Sequence, residues 1–267
     1  MKRIVKTLAA LPTKDGAGVS LYRSLGTHLL PELNPFLMLD EIRADEAADY
    51  LAGFPSHPHR GFETVTIMLE GKMRHKDSRG NEGVIESGGV QWMTAGSGII
   101  HSEMPEQTEG KLWGFQLWVN LPAANKMMTP RYQDIPAKEI PTAIVDGAKV
   151  RVMAGTVGTT TGPVKDIVTR PSLLDVHLDG TTTLALPPRT LLYVYEGSIT
   201  IGGKAVNEQH LAVLSDEPEL SVTGKARFLV FGAEPMAEPI ARHGPFVMNT
   251  REQLMAAFED YQTGKFG

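Results

Sequence analysis

Residues 54–69 read Phe54-Pro55-Ser56-His57-Pro58-His59-Arg60-Gly61-Phe62-Glu63-Thr64-Val65-Thr66-Ile67-Met68-Leu69, a histidine-bearing entry followed by regular alternation. Val65, Ile67 and Leu69 fall on one side of an extended chain and Thr64, Thr66 and Met68 on the other, the period of a strand with one buried face. The same period returns in Trp113, Phe115, Leu117 and Val119. It returns again in Leu174, Val176 and Leu178, which places Asp175 and His177 on the opposite side and makes His177 a surface residue. Asp77-Ser78-Arg79-Gly80-Asn81 and Gly202-Gly203 carry hairpin-turn chemistry. Short alternating rows between such turns predict an all-β chain built of barrels or sandwiches.

The chain has 267 residues, enough for two domains of ordinary size. Its 27 glycines and 18 prolines favour many turns over long helices. A weak internal repeat supports two similar β domains, because Thr66-Ile67-Met68-Leu69-Glu70-Gly71 resembles Tyr193-Val194-Tyr195-Glu196-Gly197 further on. The stretch from Leu121 to Pro141 holds four prolines and no clean strand period, which puts the boundary near residue 130 and the domains at 1–130 and 131–267. A helix closes the chain. Thr250 and Gln253 form a capping box, Leu254, Ala257, Phe258 and Tyr261 share a face, and Gly264 stops the run.

Twenty-six basic against 31 acidic residues give a net charge of −5 without a single-sign block, so nothing here marks direct nucleic-acid binding. The short apolar run Leu8–Leu11 is no signal core and no stretch is long enough to span a membrane, so a cytoplasmic protein is expected. Cysteine is absent, which excludes disulfides, thiolate metal sites and a cysteine nucleophile. Any metal must be held by nitrogen and oxygen.

His57 and His59 stand at i and i+2, so in a strand both imidazoles project from one face. With 8 histidines in 267 residues, chance supplies such a pair in roughly one chain in four, so the pair needs support. The support is Gly96-Ser97-Gly98-Ile99-Ile100-His101-Ser102-Glu103, where a glycine-rich turn leads into a second i, i+2 pair, His101 and Glu103. About forty residues separate the two pairs, room for the chain to return within one barrel and bring three imidazoles and a carboxylate together. Glu63 competes for the carboxylate role, because alternation counted from His59 puts it on the same face. His75, ahead of the Asp77–Asn81 turn, reads as a turn histidine, and His28, His210 and His243 stand alone. Phe54, Phe62 and Trp92 flank the ligand segments, as core or as an aromatic-sized mouth.

The runs Phe54–Thr66 and Gln91-Trp92-Met93-Thr94-Ala95-Gly96-Ser97-Gly98-Ile99-Ile100-His101-Ser102-Glu103 resemble the pirin family of the cupin superfamily. So do Asn34–Asp40 and Gly244–Thr250, and the likeness spans nearly the whole chain. Gly88-Gly89 departs from the Gly-Asp of many relatives and bears only on a local turn. The resemblance implies a bicupin: two antiparallel barrels, one metal in the N-terminal barrel, and a second barrel carrying the C-terminal helix. It implies His57, His59, His101 and Glu103 as metal ligands, favouring Glu103 over Glu63, with Glu103 also the catalytic base. Shifted by the repeat, His57, His59 and Glu63 fall on Thr183, Ala185 and Arg189, so the second barrel holds no corresponding ligands.

Three histidines and a glutamate suit Fe(II), the metal the resemblance favours, and also Mn, Co, Ni, Cu or Zn. By the same resemblance the expected activity is a quercetin 2,3-dioxygenase-like oxidoreductase that takes an aromatic small molecule and O2, opens the flavonol ring and releases carbon monoxide. The competing expectation is a non-enzymatic, redox-sensitive metal protein that binds a transcription factor or a metabolic enzyme.

Overall fold

The alternating segment becomes the strand Phe62–Glu70, paired antiparallel with Leu112–Asn120 on one side and with Val90–Thr94 on the other. The structure is a computed structural model that describes residues 1–266. Both faces of this strand are buried, threonines included, so the alternation marks two covered faces and not one wet face. Among the described residues the strand belongs to a seven-stranded sheet that runs Arg131–Ile135, Val90–Thr94, Phe62–Glu70, Leu112–Asn120, Phe36–Ala44, Val19–Leu25, Leu11–Asp15. A four-stranded sheet of Phe54–His59, Ile99–Pro105, Lys72–Asp77 and Glu82–Glu86 completes the barrel, and Leu21, Ile42, Met68, Met73 and Ile85 pack one end of its core.

The second unit has its own eight-stranded sheet among the described residues, ordered Ile4–Ala9, His210–Leu214, Arg189–Ile201, Glu219–Ala233, Ser172–Ala185, Ala148–Ala154, Thr142–Val145, with Lys204–Asn207 paired to Arg189–Ile201. Its core is apolar and mostly aliphatic, with Leu174, Val176, Leu192, Val194, Phe228 and Val230 in one buried cluster. The weak repeat is a structural one. The pairing of Phe62–Glu70 with Leu112–Asn120 shifts register beside Glu70, the pairing of Arg189–Ile201 with Glu219–Ala233 shifts beside Glu196, and Gly71 and Gly197 both take positive φ.

Neither unit is contiguous, in contrast to the division at residue 130. One comprises Leu11–Ala137 with the segment from Met236 on, the other Met1–Ala10 with Lys138–Pro235. Arg131–Ile135 adds an edge strand beside Val90–Thr94, which keeps the chain in the first barrel past residue 130. Ile4–Ala9 pairs with His210–Leu214 and so completes the second unit's sheet. The helix Arg251–Gln262, with the capping box of Thr250 and Gln253, packs Ala257 among Phe246, Phe266 and Ile100 and therefore belongs to the first barrel, not to the second one. Sheet-edge choices of this kind leave no periodic trace in the sequence.

The row Leu174, Val176, Leu178 is buried as expected, but Asp175 is not solvated. It is fully buried and accepts hydrogen bonds from Tyr195 Oη at 2.6 Å and Arg151 Nη1 at 3.1 Å, with His177 half-buried beside it. Those donors, led by His177, hold its carboxyl below the usual range against the opposing effect of burial.

Candidate metal centre

His57 and His59 lie on the strand Phe54–His59, and His101 and Glu103 on Ile99–Pro105. These two strands are direct neighbours: His101 pairs across from His57 and Ile99 from His59, so the forty-residue excursion returns the second pair beside the first. The ligand nitrogens of His57, His59 and His101 all lie within 4.8 Å of one another. The rings are 4.4 to 5.0 Å apart between centroids.

Local structure fixes these rings. His57 Nδ1 meets the Pro55 carbonyl at 2.8 Å and must be the protonated nitrogen, which leaves a lone pair on Nε2. Beyond His59 the chain turns at Gly61, whose φ of +87° and proximity to the Val247 carbonyl admit no side chain. Arg60 ties both ligand segments together: its Nε donates to the Ser97 carbonyl at 2.6 Å and its Nη1 to Asp260 of the helix at 2.8 Å. Lys126 is buried beneath the same turn and donates to the carbonyls of Gly61 and Val247 and to Asn120 Oδ1, at 2.8, 2.9 and 2.6 Å. Burial lowers its pKa to about 8, with Glu238 opposing. Lys126 is a fixed scaffold that sequence reading did not find, because a lysine in a proline-rich connection reads as solvated.

The histidines fit a cation. His57 Nε2 and His59 Nε2 are 3.0 Å apart, the separation of two ligands at a right angle, each about 2.1 Å from one ion. His101 is 2% exposed, and among the described residues neither of its ring nitrogens has a hydrogen-bond partner. Burial, and then the charge of neighbouring histidines, pushes the pKa of His59 and His101 well below the usual value, so both rings are neutral and keep a lone pair.

Glu103 stands outside that cluster, although it shares the strand face. Its Oε2 accepts from Gln116 Nε2 at 3.1 Å, and its Oε1 lies 3.1 Å from Thr66 Oγ1. Thr66 Oγ1 also lies 2.7 Å from Gln116 Oε1 and has one proton for the two acceptors. That hydroxyl can therefore satisfy only one of them at a time. Burial pushes the Glu103 pKa upward, with His57, Thr66, His75 and Gln116 opposing.

Glu63 is elsewhere. The turn at Gly61 breaks the alternation, and its carboxylate faces Thr94, whose hydroxyl donates to Oε1 at 2.7 Å. Burial raises its pKa to about 7, offset in part by Thr94, Trp92 and Arg131. His75 is no turn histidine. It is 1% exposed on Lys72–Asp77, across from Glu103 and stacked on Tyr132 at 4.9 Å, because its alternation with Met73 points it inward.

A cavity of about 580 Å³ opens from the cluster, lined by His57, His59, Glu103 and Gln116, by Met38, Met68 and Met73, and by Phe54 and Trp118. Phe62 is buried against Trp118, which meets His59 edge-on at 5.2 Å. Trp92 is beside Glu63 and outside the cavity lining. Gln116 and Trp118 were legible in principle, since they fall on the face opposite the Phe115, Leu117, Val119 row.

Family models match two stretches: Pirin at residues 18–119 and the Pirin C-terminal cupin domain at residues 173–267. A "Pirin-like protein" of Caulobacter vibrioides is 47% identical, with 100% of this chain and 99% of that protein covered. "Pirin" of Homo sapiens is 38% identical, with 100% and 94% covered. The crystal structure of a quercetin 2,3-dioxygenase from Acinetobacter baumannii aligns with a TM-score of 0.92 at 37% identity, over 100% of this chain and 99% of that one.

Proposed function

The chain belongs to the pirin family, and from that premise we propose that it holds one divalent transition metal at His57, His59 and His101 and uses dioxygen to open the ring of a quercetin-type flavonol. The observation that carries this reading is the convergence of the His57, His59 and His101 imidazoles, the first two of which line a cavity that also contains Phe54 and Trp118. Iron(II) is the metal of choice, with Mn, Co, Ni, Cu and Zn compatible with the same donors. When bound, the metal would supply Lewis acidity toward a phenolic oxygen and access to dioxygen chemistry.

The chain's own residues do the rest. His57 is oriented by Pro55, so its Nε2 is available as a donor without rearrangement. Glu103 is the fourth ligand by family resemblance and the general base. Its raised pKa and its place beside the histidines suit it to take the proton of the flavonol hydroxyl and hold it against Thr66. Gln116 fixes the other carboxylate oxygen. Trp118 and Phe54 give flat surfaces to a fused aromatic ring, and about 580 Å³ is ample for a small aromatic ligand.

The test is quercetin turnover by metal-reconstituted protein, followed as loss of flavonol absorbance on passing from argon to air. Metal-dependent bleaching with carbon monoxide release is the expected result. Absence of both with every metal named above rejects the dioxygenase reading.

A further inference from the structure

Two arginines line the cavity away from the histidines, and they differ in charge balance. Arg23 is saturated: its Nε and Nη2 each reach Asp40 at 2.7 Å, and its Nη2 also reaches Asp15 at 2.6 Å. Arg242, on the short strand Ala241–His243, has no carboxylate within ion-pair distance among the described residues. Its one hydrogen bond among them is from Nη1 to the Leu37 carbonyl at 3.0 Å. Its guanidinium lies 4.9 Å from the centre of the Trp118 ring, and Trp118 in turn abuts His59. Burial and repulsion from Arg23 disfavour its charge, with Glu32 and Asp40 only partly compensating. A half-desolvated cation facing an aromatic cavity, with donors to spare and no carboxylate in contact among the described residues, is costly unless a ligand completes it.

We propose that Arg242 is the specificity-determining residue of this cavity, recognising an acidic oxygen on a flat aromatic ligand one indole ring away from the histidine cluster. The planar guanidinium suits both a phenolate and a carboxylate, and it holds the ligand's ring alongside Trp118. The inference deepens the dioxygenase reading, on which its choice of an aromatic ligand rests. It selects polyphenols and aromatic acids over neutral aromatics of equal size.

The test is calorimetric binding under argon to the metal-loaded full chain, using wild type, R242Q and R242K, with thermal unfolding to verify each fold. Two probe pairs are used: quercetin against 3-hydroxyflavone, which lacks the remote hydroxyls, and 2-naphthoate against its neutral amide. R242Q is expected to weaken the acidic member of at least one pair about 10- to 100-fold and its neutral partner less than about threefold, with R242K intermediate. The pair affected identifies the oxygen as phenolic or carboxylic. If neither flavonol binds wild type while naphthoate depends on Arg242, the flavonol reading falls and the Arg242 assignment stands. Equal losses within both pairs, no loss in either, or no preference of wild type for any acidic probe overturns the assignment.

Discussion

His101 contributes two buried ring nitrogens that no group among the described residues satisfies, so its role is tested by what it holds more than by what it packs against. His101→Ala should lower bound metal from near one equivalent to a small fraction, measured by elemental analysis after reconstitution, while circular dichroism and cooperative unfolding persist. His75→Asn, made on an equally buried histidine outside the cluster, should leave the metal content near wild type. Glu63 gives a prediction with a pH signature. Its folded pKa of about 7 lies above the ordinary 4.5, so between those values the folded chain keeps a proton the unfolded chain has lost. The stabilisation is therefore complete below about pH 4.5 and lost as pH rises through about 7. Glu63→Gln removes the titration and should gain on wild type between pH 5 and 8, by at most about 3 kcal/mol, in urea unfolding with chelator present. A parallel offset at both values would refute it. At this scale the sequence revealed the histidines, because two i, i+2 pairs announce themselves. It read His75 as a turn residue and counted Glu63 onto the face of His59 while favouring Glu103 as the carboxylate, because neither the inward face of a strand nor the break at Gly61 can be counted from one chain.

The strands Phe54–His59 and Phe62–Glu70 meet at a turn with no room for error. Gly61 donates to the Gly96 carbonyl at 2.9 Å, its own carbonyl accepts from Lys126, and a methyl group on it would collide with the Val247 carbonyl. Gly61→Ala thus combines positive-φ strain of about 1–2 kcal/mol with a backbone collision. A loss of at least about 3 kcal/mol is expected in denaturant unfolding, with reduced metal retention because His59 is two residues away. A variant as stable as wild type would show that the turn relaxes freely. The element scale was the most legible one: hairpins, alternating rows and the capping box of Thr250 and Gln253 lie where local chemistry puts them. What escaped was partnership. The helix's apolar face is visible in Leu254, Ala257 and Phe258, but its packing with Phe246 is set by the Ala241–His243 hairpin and by Asp260 pairing with Arg60, contacts remote in sequence.

Two barrels related by a weak repeat raise the question of how many metals the molecule carries, and their interiors answer it differently. The first holds His57, His59 and His101, the group of three possible ligands found among the described residues, together with Glu103 and a cavity, whereas Leu174, Val176, Leu192, Val194, Phe228 and Val230 pack into one buried cluster in the second. Thr183 and Ala185, where the repeat places counterparts of His57 and His59, lie on the long strand Ser172–Ala185, and neither is a nitrogen donor. The apolar interior was readable from the row Leu174, Val176, Leu178. The interleaving of the units was not, because the pairing of Ile4–Ala9 with His210–Leu214 depends on a sheet edge two hundred residues away. A filled apolar interior cannot hold a hydrated cation without large desolvation cost, so one site per chain is expected. Metal-to-protein ratios after saturation and desalting should approach one for wild type and fall together with the His101→Ala occupancy. A ratio near two, or one that His101→Ala halves to leave a full second equivalent, would place a site in the second barrel and refute its assignment as metal-free.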